Sequence, residues 1–283
     1  MLTPEDLQHI RRLQLRLSRQ VDAPFSGEYR SAFRGNGMEF EDVRAYVPGD
    51  DVRRIDWNVT ARAGSPHIKE FREERELCLM LVCDVSASMR FGSKGVDKRR
   101  QQARISGALA YAAIRSGDRV GLLRFAEGIE QFIPPKKGRG HVWRVIQSAF
   151  DISTEGKGTS FQEAVQHLQL GLRGRMTLVF VSDFLIPESE LQSLRTLALK
   201  HSVHAFVIHD PLEENLPQKG LFHLQDAESG GSTLVDVSQL SGERSIEKRV
   251  QVLQRLGVQA CAVSTQSDII SVLLSHFRQL RAR

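Results

Sequence analysis

Cysteine is scarce: three residues in 283, at positions 78, 83 and 261, with no CxxC pair. The number is odd and two of the three lie inside an apolar run. Both a disulfide framework and a zinc site are disfavoured, and a reducing cytoplasm is the expected home. Long apolar runs are also missing. The longest, Leu77–Cys83, falls far short of the ~20 residues that cross a bilayer. The opening residues Met1 to Asp6 carry Glu5 and Asp6 where a secretion signal carries bases, so no signal peptide is expected. Aromatics make up 7% of the chain, and few stand among the basic residues. That weakens a nucleic-acid reading, because single strands bind by stacking bases on aromatic platforms. There is no GxxxxGKS/T, so the chain is not itself a P-loop ATPase, and no GxSxG, so a nucleophile elbow is absent.

What remains is ordinary globular composition, 41% hydrophobic and 26% charged. Lys and Arg number 39 against 34 Asp and Glu, a net charge of +5. This mild excess permits an acidic partner without demanding nucleic acid. Residues 3–20 read as a helix, with Pro4 at its start and Leu7, Ile10, Leu13 and Leu17 at helical spacing. Residues 21–76 are rich in charge and Gly with scattered apolar positions. They read as short strands and turns, with Pro48-Gly49-Asp50 as one turn.

From residue 77 the pattern changes. Apolar strands are expected at 77–83, 177–182, 203–208 and 258–263, with a hairpin over 120–125 and 129–133. Helices are expected at 97–116, 140–150, 161–170, 187–200, 244–256 and 267–281, and a loop-rich stretch with a possible hairpin at 211–240. Apolar strands alternating with amphipathic helices mean a parallel sheet covered on both faces. The expected fold class is therefore α/β, a doubly wound, mostly parallel sheet over 77–283. An N-terminal helix and an irregular, β-rich charged cap occupy 1–76. In such sheets a ligand sits beyond the carboxyl ends of the strands where strand order reverses. Asp84 and Asp183 both stand at such ends.

Asp84, Ser86 and Ser88 are spaced so that one turning loop can aim three hard oxygens at a point. Thr159, after Gly156-Lys157-Gly158, and Asp183 could supply two more. Hard oxygen suits Mg²⁺, Mn²⁺ or Ca²⁺ rather than zinc or copper, and Mg²⁺ or Mn²⁺ is the expected cofactor. Two carboxylates and three hydroxyls balance a divalent charge and leave room for an incoming carboxylate. The five residues resemble the metal-ion-dependent adhesion site of von Willebrand factor A domains, a Rossmann-like fold. The resemblance implies that Ser86, Ser88 and Thr159 touch the metal while Asp84 and Asp183 act directly or through water.

A longer resemblance begins with the run Gly35 to Trp57 (GNGMEFEDVRAYVPGDDVRRIDW). It continues through Thr60-Ala61-Arg62, Glu73-Glu74-Arg75 and the Asp84 motif, then His209-Asp210-Pro211, to Asp226-Ala227-Glu228. These residues are similar to a bacterial family of uncharacterised A-domain proteins encoded beside MoxR-type AAA+ ATPases. Longer relatives carry membrane helices ahead of this region, so the chain looks like the soluble short form. The resemblance implies a cytoplasmic, non-enzymatic adaptor or co-chaperone that works with a MoxR-type ATPase on an unknown client protein, with no nucleic acid and no transmembrane segment.

Two rivals belong to other classes. A metal-dependent hydrolase would need a general base near the metal, and none is evident in the motif. An A-domain scaffold with a vestigial metal site would ignore the loss of Asp84. No catalytic residue is assigned. The acids and arginines of 42–62 read first as a salt-bridged cap with Trp57 and Phe40 plugged onto the larger domain, and second as a partner surface. Lys94, Lys98, Arg99, Arg100 and Arg104, with Lys136, Lys137, Arg139 and Arg144, read first as solvated faces and second as steering charges. His201 and His204 read as structural, and His209-Asp210 as support for a loop.

Overall fold

A computed structural model describes residues 24–33, 38–73, 77–151, 158–214, 221–225, 231–236 and 245–281. The helix expected at 3–20 lies outside the described residues. Contacts gather the chain into two units, Met1–Phe33 with Leu77–Arg283, and Arg34–Glu76. The first described helix, α1 (Pro24–Phe33), belongs to the larger unit. It falls where the sequence suggested short strands and turns. The helix is held by packing rather than propensity, since Tyr29 and Phe33, four residues apart and so on one face, both pack edge-on against Phe277, with ring centroids 6.1 and 5.1 Å from it.

The smaller unit contains β1 (Met38–Ala45), α2 (Trp57–Ala63) and β2 (His67–Glu73). The two strands pair antiparallel, with a register irregularity between Phe40 and Asp42. Local charge pairing organises it. Arg44 holds Asp50 through two guanidinium nitrogens at 2.7 and 2.8 Å, and its Nε reaches Glu70 at 2.7 Å. Those bonds from Arg44, with the Val47 amide, bring the Asp50 carboxyl down to about 2. Asp56 caps α2 by accepting from Asn58 N and Val59 N, and Gly64 closes the helix at φ 71°. Trp57 at the start of α2 is 71% exposed.

The larger unit continues with β3 (Cys78–Asp84), α3 (Lys98–Ser116), β4 (Arg119–Phe125), β5 (Ile129–Lys136) and α4 (Arg139–Phe150). There follow α5 (Phe161–Gly171), β6 (Thr177–Ser182), α6 (Glu188–Leu191), α7 (Ser193–Lys200), β7 (Ser202–His209) and the short α8 (Pro211–Glu214). A separate hairpin, β8 (Leu221–Gln225) with β9 (Ser232–Asp236), precedes α9 (Ile246–Arg255), β10 (Gln259–Ser264) and α10 (Ile269–Arg281). The single helix expected at 187–200 is two. Ser193 Oγ donates to the Glu190 carbonyl at 2.7 Å across the break, a local bond that competes with the helical ladder.

Six strands form one sheet in the order β10-β7-β6-β3-β4-β5. All neighbours run parallel except β5, which is antiparallel to β4. The period-2 alternation of a strand divides its side chains between two cores. Leu79, Leu81, Val179, Val181, Phe206 and Ile208 face a layer built from α1, α3, α4 and α10. Met80, Val82, Leu178, Phe180, Ala205 and Val207 face a layer from α5, α7 and α9. Helices on both faces of a mostly parallel sheet are the doubly wound α/β class expected from the sequence. Strand order reverses between β3 and β6, which places the crevice over their carboxyl ends. At the open end of the β4–β5 hairpin the two strands approach closely: a Cβ at Gly121 would stand 2.7 Å from the Ile133 carbonyl oxygen, so only glycine admits this approach.

Candidate metal centre

Asp84 ends β3 and Asp183 follows β6, side by side at the reversal. Pairing of Cys83 with Val181 sets Asp84 beside Ser182. Ser182 Oγ donates to Asp84 Oδ2 at 2.6 Å and accepts from the Phe184 amide at 2.9 Å. The other Asp84 oxygen accepts from Ser86 N at 2.9 Å, which turns the loop. Ser86 and Ser88 then present their hydroxyls to each other at 3.2 Å. Asp84 and Asp183 are each 2% exposed. Burial first, then the charge of Asp183, push the Asp84 carboxyl up to about 6, against hydrogen bonds from Ser182 and Ser86 that favour the ionised form.

Thr159 comes to the same edge by its backbone neighbours. Ser160 N donates to the Ala126 carbonyl at 2.5 Å, and Val85 N to the Phe125 carbonyl at 2.8 Å. The loops carrying Thr159 and Ser86 are thus both pinned to the end of β4. After β6 the chain makes a sharp turn at Phe184, which adopts φ 51° with its ring buried. A non-glycine residue in this region is uncommon. Leu185 N donates back to Asp183 Oδ1 at 3.2 Å, and Arg249 Nη1 donates to the Asp183 carbonyl at 2.6 Å.

The first turns of α3 hold the strand ends together. Gln102 Nε2 donates to the carbonyls of Asp84 at 2.7 Å and Val181 at 2.8 Å, joining β3 to β6. Gln101 Nε2 donates to the carbonyls of Ser264, which ends β10, and of Ser267 in the turn after it. Lys98, 1% exposed, places Nζ 2.6 Å from Asp183 Oδ2 and 2.8 Å from Glu213 Oε1 on α8. Burial would lower the lysine pKa, but the two carboxylates outweigh it and the pKa is raised. Lys98 and the 3% exposed Arg99 are therefore interior residues, not the solvated face suggested by the run of basic residues. Sequence reasoning missed Lys98, Gln101, Gln102, Ser182 and Glu213. The available signal was polar residues at 98, 101 and 102, in phase with the apolar Ile105 and Leu109 of the same helix.

Asp210 does support loops, as expected. It accepts from Ser93 N and Oγ, Leu212 N and Thr265 Oγ1, tying together the segments after β3, β7 and β10. The loop over residues 91–97 closes by Lys98 N donating to the Phe91 carbonyl at 3.0 Å. His201 Nδ1 accepts from Met176 N at 3.2 Å. His204 lies 3.3 Å from His276 and against the Phe33 ring, with its pKa lowered by burial and by His276. Both histidines bond within the fold, His201 to the backbone before β6 and His204 to His276. Among the described residues no group of three or more His, Cys, Asp or Glu gathers as a metal site, and no helix is long and apolar enough to cross a membrane.

Fold and site together define an α/β protein with a doubly wound, mostly parallel sheet and an oxygen-rich cluster at its strand-order reversal. The family described as Protein of unknown function DUF58 matches residues 42–254, and the chain belongs to it. An uncharacterised protein of Mycobacterium tuberculosis is 34% identical over 223 residues, 78% of this chain and 70% of the relative. Among solved structures, BatB from Bacteroides thetaiotaomicron is 13% identical, covering 73% of this chain and all of that one (100%), with a TM-score of 0.47. The SpRpn10 VWA domain is 13% identical, covering 70% and 94%, with a TM-score of 0.41.

Proposed function

We propose that this chain is a non-enzymatic, metal-dependent protein-binding adaptor. Asp84, Ser86, Ser88, Thr159 and Asp183 would hold Mg²⁺ or Mn²⁺, and the ion would supply a coordination position for a carboxylate of a partner. The observation that carries this reading is the loop in which Asp84 accepts from Ser86 N while the Ser86 and Ser88 hydroxyls lie 3.2 Å apart, beside buried Asp183. Two adjacent buried carboxylates, that of Asp84 with its pKa raised first by burial and then by the charge of Asp183, make a place where an added cation is favoured. The donors are hard oxygens, which suit Mg²⁺ and Mn²⁺. The partner in this reading is a MoxR-type AAA+ ATPase in the cytoplasm, with the chain directing it onto a client. The resemblance of the Gly35–Trp57 motif to the MoxR-associated family supports that part.

Titration calorimetry of the full chain with Mg²⁺ and Mn²⁺ tests the site. Asp84→Ala and Asp183→Ala are each expected to weaken binding at least tenfold while circular dichroism is unchanged. Capture of a co-expressed ATPase is expected to fail in EDTA. Capture that persists in EDTA would overturn metal bridging and leave the partnership standing.

A further inference from the structure

Lys98 occupies a place that a lysine rarely takes. It is 1% exposed, and lysine is almost never fully buried unless paired. It also sits in the first turn of α3, at the positive end of the helix dipole, where a cation is disfavoured. Two carboxylates make the placement tenable. Asp183 Oδ2 lies 2.6 Å from the ammonium and Glu213 Oε1 lies 2.8 Å from it. Glu213 is itself fixed, because its other oxygen accepts from Asp210 N at 2.9 Å. The second Asp183 oxygen accepts from Leu185 N. Both oxygens of Asp183 are thus engaged by donors belonging to this chain.

We propose that Lys98 is a resident counter-cation that competes with a divalent ion for the Asp183 carboxylate and so sets the ion affinity of the site, with Glu213 drawing the ammonium away from Asp183. This inference rests on the metal-site reading above. An ammonium and a divalent ion that share one buried carboxylate repel each other, and at interior dielectric this repulsion is strong. Removing the lysine charge strengthens ion binding. Removing the Glu213 charge leaves the ammonium to Asp183 alone and weakens it. The opposite signs separate this role from simple structural support, which would make both substitutions harmful to binding or leave both silent.

The test is titration calorimetry of the full chain with Mg²⁺ alone and Mn²⁺ alone, on wild type, Lys98→Met and Glu213→Gln. Lys98→Met is expected to bind about tenfold more tightly, and Glu213→Gln several-fold more weakly. Binding by Lys98→Met where wild type shows none would also support the proposal. If wild type binds and Lys98→Met binds equally or less tightly, the proposal is overturned and the metal site stands. If no form binds either ion, the metal reading itself falls and the proposal with it. Should Lys98→Met fail to fold, Glu213→Gln decides: unchanged or tighter binding overturns the proposal.

Discussion

Asp210 is the residue whose loss is easiest to reason through. Its carboxylate is fully buried and accepts from Ser93 N at 3.0 Å, Ser93 Oγ at 2.5 Å, Leu212 N at 2.9 Å and Thr265 Oγ1 at 2.7 Å. Asp210→Ala removes four charge-assisted bonds and leaves their donors inside the protein. Hydrogen bonds to a charged group contribute ~1.5–3 kcal/mol each, but they share one acceptor and water can enter part of the space. We expect a loss of about 3–5 kcal/mol. At ~2–4 °C per kcal/mol for a chain of this size, scanning calorimetry should record a fall of roughly 6–20 °C. The pH dependence supplies an independent check. Burial would raise the Asp210 carboxyl, but the hydrogen bonds outweigh it and bring it from 3.8 to about 2. A depressed carboxyl stabilises the fold above its unfolded value and loses that effect as pH falls through the folded one. The gap between wild type and Asp210→Ala should therefore narrow between pH of about 4 and 2. A melting temperature within ~2 °C of wild type at neutral pH would refute the reasoning, as would a gap that stays constant down to pH 2.

Other outcomes follow from the same geometry. Gln102→Leu strands two buried carbonyls, of Asp84 and Val181, and should cost ~2–4 kcal/mol in urea unfolding. Phe33→Ala removes a 6% exposed ring that packs on Phe277 at 5.1 Å. It should cost ~3 kcal/mol and speed proteolysis within residues 24–33.

The sheet was legible because its central strands are buried on both faces. Such strands read as continuous apolar runs, and Leu77–Cys83 and Thr177–Ser182 did. The hairpin after β4 was legible from the glycine-bearing turn between two short runs. Helix α1 was not, since Pro24-Phe25-Ser26-Gly27 reads as a loop until Tyr29 and Phe33 find Phe277. Tertiary packing overrides a weak local preference there. Within the site, Asp84, Ser86 and Ser88 are local neighbours, and Asp183 could be placed from its strand end. Lys98 and Glu213 stand 115 positions apart, and charged residues are read by default as solvated. Only the fold reveals that this lysine points inward.

Lys98, Gln101 and Gln102 hang from the opening turns of one helix and grip the ends of β3, β6 and β10 together with α8. The strand tips therefore share a single mount. A tilt of α3 carries Asp84 and Asp183 along together instead of pulling them apart. Sequence drift in the loops above can reshape the rim around the acidic pair while the spacing beneath stays constant.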